Sequence, residues 1–132
     1  MDTMSLAQEP NQLRILLAED NRVNQKLALI VLRKLGYRAD LAVNGVEVLQ
    51  ALHRQPYDVV LMDVEMPEMD GLTATRHICQ EWSANERPRI IALTAYALRG
   101  DREKCLEAGM DDYISKPFSS RDLVTALQKA GY

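Results

Sequence analysis

The stretch that most constrains the fold lies near the middle of the chain: Tyr57-Asp58-Val59-Val60-Leu61-Met62-Asp63. Its apolar run has strand length and no polar alternation, the pattern of a parallel strand buried on both faces. It stops on an acid, Asp63. Turn residues follow, because Pro67 lacks a backbone donor and Asp70-Gly71 is a breaker pair. An acid at the C-terminal end of such a strand stands where open α/β sheets keep their chemistry. A strand that merely ends in water reads the same over this stretch, so Asp63 needs company before it defines a site.

The remaining chain repeats the pattern. Leu13 to Ala18 reads as a second buried strand, ending in Glu19-Asp20-Asn21, and a helix follows from Arg22 to Leu35 with Asn21 as cap and Gly36 as stop. Tyr37 to Ala42 is shorter and more polar, suited to a sheet edge. Asn44 opens a helix to about His53, with Glu47 three residues on. After the Asp63 strand come a helix from about Gly71 to Trp82, a polar loop, and the apolar strand Arg89 to Thr94. A helix over about Leu98 to Ala108 stops at Gly109. Asp112 to Ser115 is a short strand, and Ser119 caps a last helix from Arg121 to about Ala130. Residues 1–12 show no periodicity and read as a linker or added tail, leaving 13–132 as the domain.

Five strands alternating with five helices through short loops imply right-handed βαβ units. The expected fold is α/β: a single doubly wound, five-stranded parallel sheet with the flavodoxin-like order 2-1-3-4-5. At 132 residues the chain is one domain, too short for a TIM barrel. A net charge of −3 argues against gripping nucleic acid, and no apolar stretch approaches membrane-spanning length. Cys79 and Cys105 fall in helices without metal-ligand spacing, so both are expected as free thiols in a reducing, cytoplasmic compartment. His53 and His77, also helical, read as ordinary residues.

In this order, four strands end on functional groups along one edge: Glu19-Asp20, Asp63, Thr94 and Lys116. Three crowded carboxylates repel, and oxygen ligands with open positions suit Mg²⁺. Thr94 offers a hydroxyl donor and Lys116 a compact ammonium, both fitted to phosphoryl oxygens. An acidic rim with one compensating lysine is the plainer reading of the same residues. A carboxylate beside Mg²⁺ acts as a nucleophile toward phosphorus, giving an aspartyl phosphate. No histidine stands near as a base, so slow hydrolysis is expected rather than fast turnover.

These residues resemble the receiver domain family of two-component signalling, from about Leu13 to Ala130. The resemblance is carried by Leu17-Ala18-Glu19-Asp20-Asn21, Met62-Asp63, Met66-Pro67-Glu68-Met69-Asp70-Gly71, Leu93-Thr94-Ala95, and Tyr113-Ile114-Ser115-Lys116-Pro117. It implies that Asp63 is the phosphoacceptor, charged from a phosphohistidine. It implies that Asp20 and Asp63 bind Mg²⁺, that Glu19 helps through water, and that the backbone carbonyl of Glu65 completes the set. Thr94 would swing toward the phosphoryl group, Tyr113 would follow as the switch aromatic, and Lys116, joined to Pro117 by a cis bond, would hold a phosphoryl oxygen.

Asn24-Gln25-Lys26, Gly100 to Cys105 and Ala108 to Tyr113 are similar to receivers of hybrid sensor histidine kinases. That likeness implies a phosphorelay in which the partners are a histidine kinase or a histidine phosphotransfer domain, with no DNA binding by this domain and no direct membrane contact. A stand-alone response regulator is the alternative. The resemblance also marks Glu65 and Tyr96 as rate-tuning positions: the Glu65 carboxylate crowds the site, and Tyr96 is expected to shield it and lengthen the phosphoryl lifetime.

The first helix is apolar over a wider arc than burial on a sheet requires. The excess, Leu29 or Ile30, is expected to face solvent and, by the resemblance, to dock a partner. A flavodoxin-type FMN carrier shares the expected fold, but Glu19-Asp20-Asn21 replaces the Ser/Thr/Gly-rich phosphate loop it needs. A haloacid-dehalogenase-like, Mg²⁺-dependent phosphatase also phosphorylates an Asp, but it requires a second Asp where Glu65 stands. A degenerate receiver used only as a scaffold is disfavoured by the full acid, hydroxyl and lysine set.

Overall fold

A computed structural model describes residues 13–95 and 100–132. The elements run β1 (Ile15–Ala18), α1 (Arg22–Lys34), β2 (Ala39–Ala42), α2 (Gly45–Arg54), β3 (Val59–Asp63), α3 (Gly71–Glu81), β4 (Arg89–Thr94), α4 (Arg102–Ala108), β5 (Asp112–Ser115) and α5 (Ser120–Lys129). All strands are parallel, in the order β2-β1-β3-β4-β5. The expected doubly wound sheet is therefore the observed one, with the polar strand β2 at an edge.

The unbroken apolar runs follow from burial on both faces. Leu16, Val60, Met62 and Ile90 join one core with Val48, Ala51 and Ile78 from α2 and α3. Their neighbours Leu17, Val59, Leu61 and Ile91 point the other way, against Leu32 of α1 and Leu123 and Leu127 of α5. Alternate residues of one strand serve opposite cores, so neither set can be polar.

Capping fixes where the helices begin. Asn21 accepts from the Asn24 N–H, Asn44 from Glu47 and Asp70 from Thr73, while Ser119 and Asp122 form a reciprocal capping box. Two strands start later than the sequence suggests. The Arg14 N–H goes to the Asp58 carboxylate, so β1 starts at Ile15. Gly36, at φ 88°, turns the chain so that the Tyr37 N–H closes the end of α1 on the Leu32 carbonyl, and β2 starts at Ala39. The helix expected from Leu98 begins partly outside the described residues; its described part is α4. Among the described residues, no helix is long and apolar enough to cross a membrane.

Candidate functional site

The register levels the strand ends. Asp63 pairs with Leu93, and Ala18 with both Met62 and Ala42, so the residues after β1, β3 and β4 emerge side by side. Glu19 is drawn under this rim because its N–H donates to the Ala42 carbonyl at 2.9 Å, continuing the β1–β2 pairing one residue past the strand. Its carboxylate is 2% exposed. One oxygen lies 3.3 Å from the Lys116 ammonium and the other accepts from the Asn21 N–H. Asp20, next in the chain, faces solvent.

Asp63 is 4% exposed. Its Oδ1 accepts from the Glu65 N–H at 3.2 Å and lies 3.2 Å from the Lys116 Nζ. Lys116 is held there by its own N–H, which donates to the Thr94 carbonyl, and the Lys116–Pro117 peptide bond is cis. Burial, then the Glu19 carboxylate, push the Asp63 carboxyl up to about 6, against the pull of Lys116. Burial alone would lower the Lys116 ammonium, but the two carboxylates outweigh it and its pKa is raised.

Oxygens of Glu19, Asp20 and Asp63 all lie within 4.8 Å of one another. A single ammonium reaches two of these three acids, which leaves the cluster short of positive charge. Carboxylate oxygens alone, one of them open to solvent, form a hard donor set that fits Mg²⁺ with room for water or phosphate oxygens. Glycine is required beside it: a Cβ on Gly71 would be driven into the Asp63 carbonyl oxygen and come 2.9 Å from Met62 Cγ.

The remaining expected residues are placed less uniformly. Thr94 is buried at the end of β4, but its hydroxyl donates to the Asp101 carboxylate at 2.9 Å. Tyr113 is half-buried, with the Arg102 guanidinium 5.4 Å from its ring centre. The Glu65 side chain is exposed, and Tyr96 lies outside the described residues. On α1 the expectation for Leu29 is corrected: it packs half-buried against the core shared with α5, while Ile30 is 51% exposed. Val23 and Leu27, four and three residues apart from their neighbours in this stripe, are exposed with it. Leu27 and Ala28 also line a groove of about 350 Å³ that opens beside Glu19, Lys116 and Phe118.

Sequence reasoning missed three contributors. Gln25 donates to the Glu19 carbonyl at 2.6 Å and braces the acid from α1. The Asp101 carboxylate accepts from the Thr94 hydroxyl, and the Arg102 guanidinium lies over the Tyr113 ring. Only for Gln25, one turn into the helix that follows the acids, did the sequence carry a signal.

At the C-terminal edge of this doubly wound sheet stand three acids, two of them buried, and a lysine, a donor set compatible with a divalent cation. The chain belongs to the response regulator receiver domain family, whose pattern it matches over residues 15–128. It is 45% identical to histidine protein kinase 1 of Candida albicans over 90% of this chain, and 40% identical to hybrid signal transduction histidine kinase G of Dictyostelium discoideum over 91%. It spans only 5% and 4% of the lengths of those two relatives. Among solved structures, it is 49% identical to the receiver domain of a sensor histidine kinase from Pseudomonas aeruginosa, with a TM-score of 0.80 over 89% of this chain and 95% of that one. That structure has a magnesium ion coordinated in its active-site cleft.

Proposed function

We propose that this receiver domain takes a phosphoryl group from a phosphohistidine onto Asp63, in a phosphorelay served by a larger hybrid histidine kinase. The observation that carries the proposal is the trio Glu19, Asp20 and Asp63, two of them buried, with one ammonium between Glu19 and Asp63. Asp20 and Asp63, with the Glu65 carbonyl, would hold Mg²⁺ directly, and Glu19 would act through water. When bound, the ion supplies positive charge against the phosphoryl oxygens.

An Asp63 carboxylate oxygen attacks phosphorus, the N–P bond of the donor breaks, and the imidazole keeps the electron pair and takes up a proton. The Glu65 N–H and Lys116 orient Asp63 for this attack. The Lys116 ammonium would then pair with a phosphoryl oxygen, and the Thr94 hydroxyl and Tyr113 ring would move in as the switch. Glu65 and Tyr96 tune the lifetime of the acyl phosphate.

The donor or acceptor histidine sits on a kinase or a histidine phosphotransfer domain. The groove beside Lys116 and the exposed stripe Val23, Leu27 and Ile30 give its helices an apolar seat next to Asp63. The relatives' kinase identities support a parent hybrid kinase, and we place this domain on its cytoplasmic side. Incubating the domain with acetyl phosphate tests the proposal. Label is expected on wild type only with Mg²⁺ and none on Asp63→Asn; labelling that needs no Mg²⁺ or survives the substitution refutes it.

A further inference from the structure

We infer that Asp101 and Arg102, at the entry to α4, are positioning residues that hold both switch side chains, Thr94 and Tyr113, in the unphosphorylated arrangement. The inference rests on the phosphoacceptor reading of Asp63 and adds to it what restrains the switch before phosphate arrives.

A threonine hydroxyl has one proton. In this structure that proton is given to Asp101 Oδ2 at 2.9 Å, so it is unavailable to an oxygen on Asp63 until the Asp101 contact breaks. The bond is charge-assisted and half-buried, both of which strengthen it. Asp101 lies one residue before α4, in a helical turn that begins no later than Gly100 (φ −61°, ψ −32° at Asp101), and its carboxylate caps no helix start but accepts from Thr94. Burial, and then the Asp101 carboxylate, push the Cys105 thiol up.

Arg102 completes the device. Its guanidinium lies 5.4 Å from the centre of the Tyr113 ring, and that ring is half-buried beside α4. Two consecutive residues on one helix entry thus hold the two switch residues on β4 and β5. Movement of Thr94 toward Asp63 releases Asp101, and any resulting shift of α4 carries Arg102 off the ring. The two switch residues are coupled through the backbone between positions 101 and 102, with no contact between Thr94 and Tyr113 required.

The test measures labelling by acetyl phosphate with Mg²⁺, together with amide spectra of the unphosphorylated proteins. Asp101→Ala should label about tenfold faster than wild type, as expected for removal of one charge-assisted hydrogen bond. Asp101→Asn, which keeps the shape and loses the charge, should fall between the two. Arg102→Ala should give a gain of about twofold to fivefold, and move the Tyr113 signals more than those of Thr94. On a Thr94→Val background Asp101→Ala should change nothing, because its route of action has been removed. In the unphosphorylated Asp101 variants, Thr94 and Tyr113 signals should shift toward their positions in the phosphorylated wild type.

Wild-type rates in both Asp101 variants, or an acceleration that survives Thr94→Val, overturns the inference. If Asp101→Ala fails to fold, Asp101→Asn against wild type decides. Failure of the underlying reading looks different: wild type itself stays unlabelled, and the unphosphorylated spectra still report whether Asp101 restrains Thr94 and Tyr113.

Discussion

The two ends of the sheet use the same residue types to opposite effect. At the N-terminal end, Asp58 accepts from the Arg14 N–H at 2.8 Å and lies 3.9 Å from the Arg14 Nε. Asp111 accepts from the Ile90 N–H and stands 3.5 Å from Arg89. Each acid there has its own arginine and a backbone donor, and water reaches both partners. At the C-terminal end three acids crowd together, and one lysine reaches only the two that are buried. Charge at the first end ties strand starts together. At the second, like charges are crowded, and burial together with the Glu19 carboxylate pushes the Asp63 carboxyl up to about 6. An excess of buried like charge, more than the presence of acids, distinguishes a site from a structural rim.

The largest expected effect tests how tightly the second end is built. Gly71→Ala drives a methyl into the Asp63 carbonyl, which is backbone and cannot swing aside. It should cost about 3 kcal/mol in urea unfolding. A loss under about 1 kcal/mol would show that the Asp63 turn has slack.

Next in size is the charge itself. The folded pKa of Asp63, about 6, stands above its ordinary 3.8. Between those values the folded chain binds more protons than the unfolded chain, so the Asp63 contribution to stability falls as pH rises through that window. Asp63→Asn removes this loss. Without Mg²⁺ the variant should match wild type near pH 4 and exceed it by roughly 1–3 kcal/mol at pH 7. Parallel urea titrations in chelator measure the difference, and a variant less stable than wild type at pH 7 would erase the contrast between the two ends.

The smallest effect belongs to the paired end. Arg89→Ala breaks an exposed ion pair with Asp111 and should cost no more than about 0.5 kcal/mol. Thermal unfolding in low and high salt checks it, since added salt should shrink even that difference.

Much of this was readable without coordinates, for identifiable reasons. Val59 to Met62 and Arg89 to Thr94 are apolar without alternation, a pattern that only burial on both faces explains, and the polarity of β2 sent it to the edge. Strand order then brought Asp20, Asp63, Thr94 and Lys116 to one rim. The sequence was silent wherever a side chain had a choice of partners. Asp101 falls inside the helix expected from Leu98, and nothing local marks it as the partner of Thr94. Leu29 and Ile30 are adjacent apolar residues, and only the rotation of α1 against the sheet decides that Leu29 packs inward while Ile30 faces out.

The sequence by itself determined the architecture and the chemical composition of the site, because hydrophobic period and strand-end position are local properties that parallel topology converts into convergence. Tertiary structure alone decided the degree of burial of Glu19 and Asp63, the sharing of Lys116 between them, and the commitment of the Thr94 hydroxyl to Asp101. Those depend on distances between groups far apart in the chain, where desolvation and Coulomb energies change steeply within an ångström or two.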